Sequence, residues 1–512
     1  MQKSYDAIVI GAGLGGLSSA CWLALKGHRT LLLEKHNVPG GYATSFVRGR
    51  YEFEVALHEL SDMGTPENPG SLRLDLDKLG VTPKVEFVGT HSLYRSIFPG
   101  LDVTLPAGRE EYAGELCRLF PSEAEGIRRF LDRVFSVSKE LDELDRLQRM
   151  SPKEALPKLA TLPFRLRAVP RYMLATWGEV LERDVKDPVA RAVISQYWGY
   201  FGLPPGKVSF FYFAIALASY VKRGASHIKG RSQALSNAFI ERFHELGGES
   251  RMGCAVEKIV TKNGAVTGVV TAGDGEINAP VVISNADPVT TCRGLLSAES
   301  VPASFWKTIG SMEVGPSSVI VYMGVAKPWE SFGVKDHEIF INGSFDMDSH
   351  YEAMKRVGPP PALVAAGYNA ILPEISPPGT SMVTLTALAF GEPWSRVPVS
   401  EYHVRKHEVA DAMIRMAGKV FPGLREFAEV VEVATPVTNM RFTGALGGAI
   451  YGFSSTPFNH TILRLSAKGP IGGLYFAGAW AQPGGGFSPT IISGKMAAIR
   501  AECDLRNHRK RG

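Results

Sequence analysis

Near the start of the chain, the motif Gly11-Ala12-Gly13-Leu14-Gly15-Gly16 has the composition and spacing of a phosphate-binding turn. Gly11 permits a tight turn, Gly13 lets the backbone approach a pyrophosphate, and Gly16 allows close packing of helix on strand. The N-terminus of the following helix would then face the phosphates with free N–H groups. We therefore predict a dinucleotide site here rather than a purely structural glycine turn.

Two further features decide which dinucleotide this turn would bind. Glu34 stands about where a ribose-binding acid belongs, and a carboxylate would repel the 2′-phosphate of NADP. The pair Gly40-Gly41 follows, and a second turn, Gly484-Gly485-Gly486, opens a C-terminal helix whose N-terminus can stabilise negative charge on a reduced flavin. NAD enzymes do not need that second helix, so the sequence favours FAD.

The elements around these residues must present them at the edge of a sheet. Residues 5–10 and 30–34 have the pattern of buried strands, and residues 17–26 between them that of a helix, which predicts a Rossmann-type βαβ unit. Near the other end, a strand at 474–477 precedes a helix at 490–503. The chain is thus expected to begin and end in the same nucleotide-binding domain.

The length of 512 residues predicts more than one domain, with a mixed α/β fold. A helix at 234–246 and strands at 254–261, 266–272 and 277–284 suggest a meander that returns to the first sheet. We predict a Rossmann-type FAD-binding domain interleaved with a substrate domain and a helical region. The predicted boundaries are 1–90, 226–295 and 441–512 for FAD binding, 91–225 for the helical substrate region and 296–440 for the substrate domain.

Composition and charge exclude several classes of protein. A net charge of +5, without a basic stripe that carries aromatic residues, argues against nucleic-acid binding. The five cysteines are scattered without metal-ligand spacing, which is typical of a reducing compartment, and no secretion signal is visible, so we expect a cytoplasmic protein. The longest apolar run, 208–221, is too short to span a bilayer.

Several motifs together resemble those of a known family. Leu33-Glu34-Lys35-His36, Pro39-Gly40-Gly41, Thr44-Ser45-Phe46, Tyr51-Glu52-Phe53-Glu54 with Leu57-His58, the loop at 229–235 and the blocks at 435–442, 450–452 and 478–495 are similar to phytoene desaturases, carotenoid isomerases and retinol saturases. Three positions depart from the family pattern: Tyr42 replaces an arginine, Glu54 an aspartate and Ala56 a glycine.

The resemblance implies an amine-oxidase-like flavoprotein architecture and further cofactor contacts. Val256 would contact the adenine through its backbone. The FAD-binding residues expected in all are Gly11, Gly13, Gly15, Gly16, Glu34, Lys35, Gly40, Gly41, Thr44, Val256, Gly478, Ala479, Gly485, Gly486 and Phe487.

The activity that the resemblance implies is FAD-dependent oxidoreduction at carbon–carbon double bonds of a long apolar polyene, which is carotenoid-like or retinoid-like. Desaturation, saturation and cis-trans isomerisation all stay open, as does the identity of the polyene. His58, Glu59 and Tyr451 are candidates for moving a proton. For His58 a structural role is an equal alternative, and for Tyr451 core packing is the stronger one.

Two other functions share this fold: a flavin amine oxidase, and a flavin-free protein that binds lipidated partners. Against the first, the C-terminal block has no cysteine placed for flavin attachment; against the second, the cofactor motifs are intact. A lipophilic substrate would require contact with a membrane surface, and the basic amphipathic stretch at 152–177 is a candidate, with a surface helix pair over the core as the alternative. The oligomeric state is left open.

Overall fold

A five-stranded parallel sheet is the base of the nucleotide-binding region. The computed structural model describes residues 4–509 except 151–153, 155–157, 159, 160, 163 and 164. The sheet has the strand order Leu474–Phe476, Val281–Ser284, Ala7–Ile10, Thr30–Leu33 and Glu249–Arg251, and every pair is parallel. The first four are buried along their length, as expected for apolar strands with helices on both faces.

Three helices pack together beside this sheet: Leu14–Leu25, Arg231–Glu245 and Phe487–Arg509. The first helix begins at Leu14, three residues earlier than predicted, because the glycines of the phosphate-binding motif form its first turn. The last helix likewise begins at Phe487 rather than at residue 490. Both helices therefore start directly at a glycine turn.

The meander predicted after residue 254 is present as a three-stranded antiparallel sheet of Val256–Lys262, Ala265–Thr271 and Gly275–Asn278. Its first turn uses Asn263 and Gly264, both with positive φ, as a tight hairpin requires. The single strand expected at 277–284 is wrong, since it is broken before Pro280, which cannot donate a ladder hydrogen bond. Only its second half, Val281–Ser284, joins the parallel sheet.

A second, seven-stranded sheet forms the wall opposite the nucleotide region. Its order is Ala428–Ala434, Ser317–Val325, Ser381–Ala389, Ala362–Gly367, Glu338–Asn342, Tyr94–Phe98 and Leu101–Leu105. All pairs are antiparallel except the parallel pair of Glu338–Asn342 with Tyr94–Phe98. The helix Val399–Ala417 packs on this sheet, with its buried face in the core.

Helices from the middle of the chain close the remaining side. They are Arg109–Leu119, Ala124–Arg149, Ala168–Tyr172, Trp177–Asp184, Pro188–Ile194 and Phe210–Arg223. An aromatic core holds them together, in which the rings of Trp177 and Phe213 stack with centroids 3.9 Å apart. Within the described part of the chain, no helix is both long enough and apolar enough to cross a membrane.

Smaller elements connect these layers. Two short antiparallel pairs join Ser45–Arg48 with Tyr51–Glu54 and Phe87–Gly89 with Ser226–Ile228. The other helices are Ser71–Leu79, Pro288–Thr290, Ala303–Gly310, Met347–Ala353, Gly391–Ser395 and Pro436–Thr443. The domain boundaries drawn from the sequence stay a prediction, and much of the stretch at 152–177 lies outside the described residues.

Candidate functional site: a nucleotide cradle joined to a buried chamber

One cavity of about 900 Å³ runs from the first glycine turn to the space between the two large sheets. We call its glycine-lined end the cradle, defined by Gly11, Gly13, Glu34, Gly478 and Gly485, and its other end the chamber, defined by His58, Glu59, Tyr200, Phe340 and Thr386. Both ends belong to the same continuous space. A group bound in the cradle can therefore reach into the chamber.

The first glycine turn leaves no room for side chains. Gly11 has a φ of +92°, which only glycine adopts easily. A Cβ on Gly13 would lie 2.6 Å from the Nδ2 atom of Asn285. Gly13 is the N-cap of the first helix and supplies no side-chain cap, so the first N–H groups of that helix stay available. This arrangement suits a phosphate group.

Gly15 and Gly16 have a different role from Gly11 and Gly13, because they do not line the cavity. A Cβ on Gly15 would lie 2.7 Å from the backbone nitrogen of Gly478, and one on Gly16 would collide with the carbonyl of Gly11. Gly15 thus lets the first helix approach the C-terminal turn, and Gly16 lets the helix pack against the first turn. They hold the two halves of the cradle together.

The acid at the end of the second strand is held by backbone groups. Ala12 N donates to Glu34 Oε2 at 2.6 Å, and His36 N donates to Glu34 Oε1 at 2.8 Å. Each carboxylate oxygen can accept a further hydrogen bond, which suits a ribose diol. The wall beside Glu34 continues through Lys35, Gly40, Gly41 and Val256.

The C-terminal turn forms the other half of the cradle. Gly478, Ala479, Gly485, Gly486 and Phe487 all line the cavity. A Cβ on Gly485 would lie 2.6 Å from Tyr451 Cα, and its carbonyl accepts from the hydroxyl of Tyr212 at 2.9 Å. The helix that begins at Phe487 has no acidic residue in its first turn, so its positive end is not neutralised there.

Thr44 is the one predicted cofactor residue, besides Gly15 and Gly16, that lies off the cavity wall. Its hydroxyl donates to Gln233 Oε1 at 2.5 Å, so it ties the loop after Gly41 to the helix at 231–245. Glu54 also joins two loops nearby, because it accepts hydrogen bonds from Ser232 N at 2.7 Å and from Leu57 N at 3.1 Å. Both side chains position loops rather than face the cavity.

Two residues that were not predicted from the sequence, Asn285 and Arg464, support the cradle. Asn285 lies against both glycine turns, and its Oδ1 atom has no hydrogen-bond partner within the described chain. A bound group would complete such a site. Arg464 is buried, and its Nη2 donates to the carbonyls of Tyr451, Phe453 and Ala479 at 2.7 to 2.8 Å. The glycine cradle, the open helix start and the unpaired amide all fit a nucleotide-containing cofactor.

In the chamber, the loop at 55–59 is held from three sides by tyrosines. The hydroxyls of Tyr322, Tyr368 and Tyr220 donate to the carbonyls of residues 55, 57 and 59 at 2.8, 3.2 and 3.3 Å. Ser488, at the start of the last helix, donates to the carbonyl of Ser61 at 2.7 Å. The loop that carries His58 and Glu59 is thus fixed against the C-terminal turn.

His58 is buried between an acid and a hydroxyl. Its Nδ1 atom lies 3.2 Å from Glu338 Oε1, and its Nε2 atom lies 3.2 Å from Thr386 Oγ1. Burial lowers the pKa of His58, but the nearby charges of Glu338 and Glu54 outweigh burial and raise it above its ordinary value. The carboxyl groups around His58 therefore stabilise positive charge on its ring.

Glu59 lies on the same loop and is also buried. Tyr197 donates to Glu59 Oε2 at 3.1 Å, and Tyr200 donates to Glu338 Oε1 at 2.6 Å. Burial and the neighbouring Glu338 raise the pKa of Glu59 well above its ordinary value. Glu338, Tyr197 and Tyr200 were not predicted, since they are 138 to 280 residues away from their partners along the chain.

Tyr451, the third predicted catalytic residue, lies where the cradle meets the chamber and lines the cavity. Burial raises the pKa of its hydroxyl above its ordinary value. The phenol therefore stays protonated and can donate a hydrogen bond.

A family model described as flavin-containing amine oxidoreductase matches residues 14–501. The chain belongs to this family. It is thus a flavin-dependent oxidoreductase, as the intact cradle indicates.

Relatives over nearly the whole chain carry more specific names. The chain is 27% identical to prolycopene isomerase 1 of an Oncidium hybrid cultivar, over 99% of this chain and 85% of that protein. It is 25% identical to all-trans-retinol 13,14-reductase of Danio rerio, over 93% and 83%. A putrescine oxidase structure aligns with a TM-score of 0.62 at 14% identity, over 98% and 99% of the two chains, and shows the fold alone.

Proposed function

We propose that the flavin is FAD, held with its ADP half in the cradle. The pyrophosphate would lie at Gly11 and Gly13, the ribose at Glu34 and the adenine at Val256. The remaining contacts would come from Lys35, Gly40, Gly41, Gly478, Ala479, Gly485, Gly486 and Phe487. Gly15, Gly16 and Thr44 would support the site through packing. The open start of the first helix supports this assignment, because a mononucleotide flavin would leave the adenosine end unused.

We further propose that the substrate is a lipophilic polyene whose carbon–carbon double bonds react. The observation that carries this proposal is the single cavity, in which the cradle opens into a chamber lined by apolar side chains such as Phe211, Ile215, Phe340 and Leu388. The relatives named prolycopene isomerase and retinol reductase match nearly the full chain. When bound, the flavin would supply two-electron chemistry to the substrate.

Amine oxidation is the second candidate, because a putrescine oxidase shares the fold. The chamber argues against it. The acid beside the C-terminal turn, Glu59, has a pKa raised well above the ordinary value by burial and by Glu338, so its site disfavours the negative charge that would bind an ammonium group. The full-length similarity to proteins named for polyene chemistry favours the polyene.

His58, Glu59 and Tyr451 stay the proposed residues for moving protons, since all three line the cavity beside the C-terminal turn. Their positions on the wall of the shared cavity support such a role. A cytoplasmic location stays a prediction.

Contact with a membrane surface is part of the proposal. Leu174, a described residue of the predicted stretch at 152–177, is 56% exposed. The neighbouring Met173 is tied to a second loop, because its carbonyl accepts from His460 Nε2 at 2.8 Å. Beside His460, Phe458 and Ile462 are 75% and 54% exposed, and Ile462 also lines the cavity. An apolar surface at the cavity mouth suits entry of a substrate from lipid.

The test is anaerobic incubation of the FAD-loaded protein with a panel of polyenes, once with oxidised and once with reduced FAD, and a parallel arm with aliphatic amines. We expect an altered polyene in at least one arm and no amine oxidation. Amine oxidation with every polyene unchanged would contradict the proposal.

A further inference from the structure

The chamber contains a cluster of buried acids in which the carboxyl groups outnumber the positively charged groups that could balance them. Glu59 and Glu338 are both buried, and His58 is the single imidazole within hydrogen-bond distance of Glu338 in the described chain. The titratable groups that face Glu59 are Glu338, Tyr94, Tyr197, Tyr200 and Tyr220. The tyrosines there stay neutral because burial raises their pKa values. If both glutamates were ionised and His58 were protonated, the cluster would carry a net negative charge in a region that is buried from water.

Burying an uncompensated charge costs several kcal/mol, so such groups change protonation state instead. The cluster is electrically neutral when His58 is protonated, one carboxyl is ionised and the other keeps its proton. Neutrality therefore requires at least one carboxylic acid in this chamber. The remaining question is which of the two glutamates carries the proton.

The hydrogen bonds favour Glu59 as the neutral acid. Glu338 Oε1 accepts from Tyr200 at 2.6 Å and is 3.2 Å from His58 Nδ1, so it has both a donor and a positive partner. Glu59 Oε2 accepts from the hydroxyl of Tyr197 at a longer 3.1 Å, and each of the two acids has one further oxygen without a partner in the described part of the chain. The ionised form is thus better stabilised at Glu338. The raised pKa of Glu59 agrees with this assignment.

The two acids also differ in access to the cavity. Glu59 lines its wall, whereas Glu338 lies behind that wall. Glu59 is therefore the acid of this cluster that lines the substrate space. Glu338 acts through its neighbours, as a positioning residue that stabilises positive charge on His58.

We propose that Glu59 is held as a neutral carboxylic acid beside the substrate and gives its proton to a polyene carbon, so that this chain saturates or isomerises double bonds rather than desaturating them. The proposal rests on the proposed function for its substrate. Desaturation removes a proton and needs a base, whereas a neutral carboxylic acid beside the substrate has a proton to give.

In this step the O–H bond of Glu59 breaks and the π electron pair of the substrate forms a new C–H bond. Glu59 is left as a carboxylate, and the neighbouring carbon becomes electron-deficient. In saturation, the electron pair for that carbon comes as hydride from a two-electron reductant of the reduced-flavin class. In isomerisation, rotation follows and the carboxylate takes the proton back, so no net electrons are consumed. After saturation, a proton from solvent restores the acid.

Infrared spectroscopy of the FAD-loaded protein tests the neutral acid without any turnover. A buried protonated carboxyl gives a carbonyl band that shifts in D2O. We expect this band in wild type minus Glu59→Gln difference spectra, which cancel the other buried acids. The surface variant Glu432→Gln, whose side chain pairs with Arg48, is the matched control and should leave the band in place. A difference spectrum without the band would overturn the proposal.

Turnover tests the proton delivery. We expect Glu59→Gln to lower kcat on a polyene by about 10²–10⁴-fold with flavin content unchanged, and Glu59→Asp to restore part of it. Unchanged turnover in Glu59→Gln would overturn the role of Glu59 alone. Wild-type protein that converts no polyene would overturn the proposed substrate and the delivery together. Desaturation with oxidised FAD faster than saturation or isomerisation with reduced FAD would overturn the direction.

Discussion

The cradle and the chamber are built in opposite ways, although they share one cavity. The cradle is made of backbone, in which Gly11, Gly13 and Gly485 bring N–H groups and helix ends close to a ligand. The chamber is made of buried side chains, such as Glu59 and Glu338, that come from distant parts of the chain. The cradle can hold a cofactor through geometry alone, whereas the chamber depends on which groups carry protons.

This difference predicts how each region responds to change. A methyl group in the cradle collides with backbone that cannot move, so the effect should be large. In the chamber, a side chain can be replaced by one of the same shape, so the fold should survive and the chemistry should change. The predictions below use this contrast, from the largest expected effect to the smallest.

Gly15→Ala should break the cradle. Its methyl group would lie 2.5 Å from Asn285 Oδ1 and 2.7 Å from Gly478 N, which forces the two turns apart. We expect a protein that retains no flavin, with a free energy of unfolding lowered by about 3 kcal/mol. Visible absorbance after reconstitution and chemical denaturation measure both effects.

The matched control is Gly114→Ala, at a helical glycine with no atom near the new methyl group. It should retain flavin and gain about 0.5–1 kcal/mol of stability, since alanine favours a helix. Full flavin content in Gly15→Ala would show that the turns are not packed this closely.

Arg464→Met should loosen the junction of the two regions. The carbonyls of Tyr451, Phe453 and Ala479 would lose their shared donor while staying buried. We expect a loss of about 2–3 kcal/mol in the free energy of unfolding, together with weaker flavin retention. The exposed Arg405→Met, on the helix Val399–Ala417, should change stability by less than about 0.5 kcal/mol. Equal effects from the two variants would contradict this role for Arg464.

The rim of the chamber should respond to pH through Asp62. Burial raises the pKa of Asp62 from 3.8 to about 6, although Arg223 opposes the shift. A raised pKa in the folded state means that protonation favours folding, so this contribution is present below about pH 4 and is lost as the pH rises through 6. Between these limits, wild-type stability should fall by about 2 kcal/mol relative to Asp62→Asn. Denaturation curves across this range measure it, and a difference that rises with pH would contradict the sign.

The surface at the chamber mouth should show the smallest effect. Replacing Phe458 and Ile462 together with serine removes exposed apolar side chains and leaves the interior unchanged. We expect the affinity for phosphatidylglycerol vesicles, measured by sedimentation, to weaken by about 30-fold, since each of the two side chains contributes roughly 1 kcal/mol at a lipid interface. Val399→Ser, at a residue that is 93% exposed elsewhere, is the control. Equal binding by both variants would place the membrane contact elsewhere.

The same contrast explains what the sequence could predict. The strand, glycine turn, helix and second strand at residues 7–33 lie within 27 consecutive positions, so local patterns were enough to find them. The helix start was misplaced because glycine is a poor helix former, although its lack of a side chain suits this crowded turn. The family-like motifs also singled out His58 and Glu59 as candidates for moving a proton.

The partners of those two residues could not be predicted. Glu338 is 280 positions from His58, and its strand has no motif that marks the glutamate as different from a solvent-facing one. Asn285 and Arg464 are also single residues whose roles depend on how distant turns pack. Such contacts arise only from tertiary structure, so the sequence indicated a flavin and the residues His58 and Glu59 but not the partners that set their protonation.

A crystal structure of the protein with FAD and a bound polyene tests the central claim most directly. The account predicts the pyrophosphate at Gly11 and Gly13, the flavin ring between the loop at 55–59 and Gly485, and a double bond of the polyene near Glu59. A nucleotide bound outside the cradle, or a polyene bound away from the chamber, would contradict it.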